Sequence, residues 1–120
     1  MTPAARISAA IDVLSDIEGR RRPAADALKE WGISHRSAGS KDRAAIASLV
    51  YDALRRKSSA AWVMGDAASR AVMLGALRLQ RNYTADEIAA LCSGERYAPA
   101  RLSESERERV TPPAMAAGAG

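Results

Sequence analysis

Residues 42–62, DRAAIASLVYDALRRKSSAAW, decide the fold. Ile46, Leu49, Val50, Ala53 and Leu54 recur at three- and four-residue spacing, the period of one helix face. Ser40 is positioned as the N-cap of this third helix, with Asp42 in its first turn, where negative charge complements the helix dipole. Ala45 and Ala47 invite close approach of a neighbour. Arg55, Arg56 and Lys57 close the last turn. Ser58-Ser59 predicts a break, followed by a short fourth helix over Ala60–Met64 that carries Trp62 and stops near Gly65.

The same helical period continues on either side. Thr2-Pro3 opens a first helix whose apolar face is Ile7, Ala10, Ile11, Leu14 and Ile17, ending at Gly19 before Arg20-Arg21-Arg22. Pro23 starts a second helix with Ala24, Ala27, Leu28 and Trp31 on one side and Gly32 as its stop. Asp66 is placed to cap a fifth helix through about Leu79, with Val72, Met73, Ala76 and Leu77 turned inward and Gly75 allowing a backbone to come close. Thr84 with Glu87, and Ser103 with Glu106, fit capping boxes for two short helices, the first ending at Gly94 and the second spanning Glu104–Val110. β-branched residues are sparse and do not alternate with polar ones. Alanine, the best helix former, makes up much of the 48% apolar content. The expected fold is all-α, a bundle of five to seven helices over residues 1–110, with 111–120 (TPPAMAAGAG) as a linker or tail.

Catalytic parts are missing. His35 is the only histidine and Cys92 the only cysteine. A His-based metal cluster and an internal disulfide are therefore excluded. Cys92, beside Ile88 and Leu91, reads as a buried apolar thiol. His35 lies in a polar loop with Ser34, Arg36 and Ser37. Ser37, Gly39, Ser40 and Lys41 weakly suggest a phosphate loop, but no strand precedes them, so capping is the better explanation. No segment reaches membrane-spanning length and no signal peptide opens the chain, so a cytoplasmic protein with no membrane partner is expected.

The charge is uneven. Met1–Arg81 holds 14 basic and 8 acidic residues, whereas Asn82–Gly120 holds 4 and 6. Cations at a helix exit compensate the dipole, which accounts for one or two per end but not for three in a row twice. Phosphate binding is the competing explanation. Arg20, Arg21, Arg22, Arg55, Arg56 and Lys57 are the leading candidates to contact a nucleic-acid backbone. Lys41 and Arg43 join them, because they sit at a helix start where positive charge opposes the dipole. Trp31 and Trp62, on or beside apolar faces, are expected in the core, and Tyr51 half exposed.

Asp42-Arg43, Leu49-Val50-Tyr51, Leu54-Arg55-Arg56 and Trp62, with Ala9-Ala10, Ile11, Val13 and Leu14 before them, resemble the helical N-terminal domain of the RsmB/NOP-type RNA cytosine-5 methyltransferases. That domain is itself similar to the antitermination factor NusB. The resemblance covers about residues 4–80 and weakens after Arg81. It implies a NusB-like RNA-binding bundle that precedes a catalytic domain absent from this chain. That second domain would bind S-adenosylmethionine and methylate a cytosine of ribosomal RNA, using one cysteine after a proline and another after a threonine. Here Cys92 follows Leu91, so no catalytic or cofactor-binding residue carries over, and this chain is not expected to be an enzyme by itself. Its expected partners are ribosomal RNA and the missing methyltransferase domain, and it is expected to be a monomer. A helical protein–protein interaction module, antitermination-factor-like or docked on the catalytic domain, is the alternative. A helix-turn-helix DNA binder fits less well, since no polar recognition helix follows a tight turn.

Overall fold

A computed structural model describes residues 1–113. Among these described residues there are seven helices and no strand: α1 (Pro3–Arg20), α2 (Ala24–Ser34), α3 (Ser40–Arg55), α4 (Lys57–Met64), α5 (Ser69–Leu79), α6 (Ala85–Leu91) and α7 (Glu104–Val110). The all-α architecture is as expected from the periodicity. Thr111–Pro113 are irregular and exposed, and the rest of the expected linker lies outside the described residues.

α5 is the centre. Seven consecutive residues, Ala71–Leu77, are buried, so this helix is apolar all round, as a helix enclosed by others must be. α1, α3, α4, α6 and α7 all pack on it. α1 and α3 supply Ile7, Ala10, Val13, Leu14, Ile46, Leu49 and Val50 to the same core, and α6 and α7 close it with Ile88 and Val110. Gly75 permits the tightest approach, because a Cβ there would lie 2.6 Å from the Cβ of Ala60 on α4.

α1 and α3 run side by side in the same direction. At one end the Arg6 Nε donates to Asp42 Oδ1 at 2.9 Å. At the other, Lys57 Nζ lies 2.6 Å from Glu18 Oε1. α2 doubles back along α1 after the turn at Arg21–Pro23.

Several boundaries differ from expectation, each for a local reason. α1 runs past Gly19, and its left-handed C-cap is Arg21 (φ 53°, ψ 45°). α2 runs through Gly32, which does not adopt positive φ, and ends at His35, whose ring Nδ1–H donates to Trp31 O at 2.8 Å. The N-cap of α3 is Gly39, with Ser40 already inside the helix. The joint between α3 and α4 falls at Arg56 (φ −105°, ψ 12°), so Ser58 and Ser59 lie inside α4. Asp66 accepts from the Ala68 N–H at 2.9 Å and orders the turn ahead of α5, which starts at Ser69. α6 stops at Leu91, and Gly94 (φ 75°) serves the following turn instead, its N–H donating to Pro99 O. Both capping boxes form, and α4 ends on left-handed Gly65.

Candidate nucleic-acid interface

The parallel course of α1 and α3 brings the two basic triplets to one end of the bundle. Arg20-Arg21-Arg22 leave α1 there, and Arg55-Arg56-Lys57 occupy the α3–α4 joint. The exit of α5 arrives at the same place: Arg56 Nε donates to Gln80 Oε1 at 2.8 Å, and Arg81 Nε donates to Asp52 Oδ2 at 2.9 Å. Three helix C-termini therefore converge. Each carries roughly half a negative charge in partial charges, so cations accumulate there for an internal reason.

The six cations divide into two groups. Arg20 pairs with Asp16 and Glu30, Arg22 with the same two carboxylates, Arg55 with Asp52 and Lys57 with Glu18. These pairs relieve the repulsion that a run of three cations would otherwise suffer. They hold the Glu30 carboxyl below its ordinary range, chiefly through the hydrogen bond from Arg22. Arg21 and Arg56 meet no carboxylate among the described residues, and both are exposed. Arg21 has a left-handed backbone, and Arg56 keeps its hydrogen bond to the uncharged Gln80 side chain. The carboxylate pairs lie at the surface, where such pairs are weak and exchange readily.

Lys41 and Arg43 are not part of this end. They open α3, a helix of 16 residues that spans about 24 Å, and face the opposite pole beside Met1 and Arg6. The Arg6 hydrogen bond holds the Asp42 carboxyl below its ordinary range, so the cost of starting α3 with cations is met by an acid between them. The eight candidate residues thus form one cluster of six and a separate pair.

Of the aromatic residues, Trp31 packs against the core as expected and Trp62 does not. Trp31 is half-buried and stacks on the His35 ring, with centroids 4.1 Å apart and planes 9° from parallel. Trp62, expected in the core, is 84% exposed. α4 buries Ala60 and Met64, and residue 62 lies midway between them, on the far side of the helix. That phase is readable from the sequence once Ala60 is placed inward. Tyr51 is 44% exposed, as expected.

Titratable side chains also gather in a cleft between α1 and α2, lined by Asp12, Asp16 and Arg20 from α1 and by Glu30 and His35 from α2 and its C-cap. Burial raises the Asp12 carboxyl above its ordinary range, opposed by the nearby His35. Asp16 and Glu30 are held by arginines, and the His35 Nδ1 by a carbonyl. Cys92 is 1% exposed, and burial pushes its thiol upward, as an inert apolar thiol requires. Among the described residues no group of three or more His, Cys, Asp or Glu side chains is placed to hold a metal. No helix among them is long and apolar enough to cross a membrane.

Comparison with protein-family models, with curated proteins and with solved structures returned no match.

Proposed function

We propose that this chain is an RNA-binding helical domain that positions ribosomal RNA for an S-adenosylmethionine-dependent cytosine-5 methyltransferase domain. The observation that carries the reading is the parallel course of α1 and α3, marked by the Arg6–Asp42 and Glu18–Lys57 contacts, which brings the two basic triplets to the same end of these helices. Arg21 and Arg56 offer unpaired charge to phosphates, and Arg20, Arg22, Arg55 and Lys57 exchange weak carboxylate pairs for phosphate pairs. Such interactions orient a structured RNA without reading its bases. The resemblance of residues 4–80 to the N-terminal domain of RsmB/NOP-type enzymes supports the same reading. S-adenosylmethionine has no fit here: the described residues hold no strand, and so no strand–glycine turn to cradle it. It would belong to the separate catalytic domain.

The test is a salt series of binding to structured ribosomal RNA, comparing the wild type with Arg55→Gln/Arg56→Gln/Lys57→Gln. The wild-type affinity should fall steeply with salt. The variant's log–log slope should be shallower by about 0.7–0.9 for each phosphate that is no longer neutralised. An unchanged affinity and slope would overturn the reading.

A further inference from the structure

Trp62 contributes nothing to the core, yet it stands on a rigid helix next to the basic end. Ser58, Ser59 and Trp62 are exposed at helical spacing on α4, and Ser48, Tyr51 and Arg55 are exposed on α3 ahead of the joint. Helical side chains lean toward the N-terminus, so the indole reaches back over Ser58 and Ser59 toward the cations. At 84% exposure the indole is open to solvent. The next acid along the chain, Asp66, lies past the left-handed turn at Gly65 and is committed to the Ala68 N–H.

We propose that Trp62 is a stacking platform for an unpaired nucleobase of an RNA whose backbone is held by the neighbouring arginines. This rests on the reading of the basic end as an RNA surface and adds to it a preference for single-stranded segments. The chemistry matches in three respects. An exposed indole offers a flat face that any base can cover. Arg55 and Arg56 stand one to two helical turns away, within reach of the flanking phosphates. Ser58 and Ser59 supply hydroxyls for a base edge or a 2′-OH. A protein helix docking here would need an apolar surround for the indole. Its exposed neighbours one turn back on α4 are instead the two serines, Ser58 and Ser59.

The experiment titrates the full chain with single-stranded oligoadenylate and with the same oligomer carrying abasic sites, following indole fluorescence and affinity. Oligoadenylate should quench the wild type, and the quench should shrink in Trp62→Phe. Trp62→Ala should weaken oligoadenylate binding about 5- to 150-fold with an unchanged salt slope, while Trp62→Phe keeps most of the affinity. The abasic oligomer should bind wild type and Trp62→Ala alike. Salt-dependent binding indifferent to Trp62→Ala and to abasic sites would overturn the stacking role and leave the phosphate surface standing. No binding of any RNA would overturn both. An indole response to an acidic peptide and not to oligoadenylate would overturn the proposal in favour of a protein anchor.

Discussion

Gly75 and Ala60 touch backbone to backbone: a Cβ on Gly75 would lie 2.6 Å from the Ala60 Cβ, 2.8 Å from its Cα and 3.0 Å from its carbonyl oxygen. Neither side can yield by rotating a side chain. Gly75→Ala is therefore expected to destabilise the domain by about 1–3 kcal/mol through overpacking, despite alanine's better helix propensity. Urea unfolding checks it, and a variant as stable as the wild type would mean that α4 moves freely on α5.

Arg21 occupies a left-handed conformation that costs an L-residue roughly 1–2 kcal/mol. Glycine adopts it freely but loses more chain entropy on folding. Arg21→Gly should therefore raise stability by about 0.5–1 kcal/mol. It should also lower RNA affinity, because it removes one of the two cations without a carboxylate partner. Thermal melts and RNA binding on the same variant separate the two effects.

Glu18 competes with phosphate for Lys57. Glu18→Gln frees the ammonium, so RNA should bind about 2- to 5-fold tighter with a steeper salt slope. The cost in stability should stay below about 1 kcal/mol. Fluorescence anisotropy at two salt concentrations is sufficient, and weaker binding would contradict the placement of the interface.

Arg70 ties α5 to α7 through Glu106, with Nε and Nη2 donating at 2.8 and 3.0 Å, and Nη2 also reaches Ala100 O. The Arg70 hydrogen bond holds the Glu106 carboxyl below its ordinary 4.5. A carboxyl lowered on folding contributes fully above that ordinary value and loses its contribution as pH falls through the lowered one. Glu106→Gln preserves the capping box, since glutamine also serves there, but removes the charge. It should destabilise by about 1 kcal/mol at neutral pH. The difference should vanish in acid, which denaturation at matched pH values would reveal.

Most of the fold is legible because apolar side chains repeat at the helical period and because the caps are strong. Thr84 with Glu87 and Ser103 with Glu106 each fix a helix start to the residue. Stops are less legible. Gly19 and Gly32 look like terminators but keep ordinary helical backbone, while Arg21 and His35, with no glycine signal, end α1 and α2. The site is half legible. The triplets stand out along the chain, but their meeting depends on the parallel run of α1 and α3, which no local pattern encodes. The same geometry sends Lys41 and Arg43 to the other pole. Residue type alone misplaces Trp62 in the core, whereas its phase against Ala60 and Met64 turns it outward.

The burial of α5 on every side has a consequence for synthesis. The helices that precede it leave Leu14, Ile46 and Val50 without their partner until Ala71–Leu77 have been made. A nascent chain halted before Ser69 would present an oily groove to chaperones, and proteolysis should trim any fragment that ends there. Stability of this domain therefore arrives late, only after the central helix has left the ribosome.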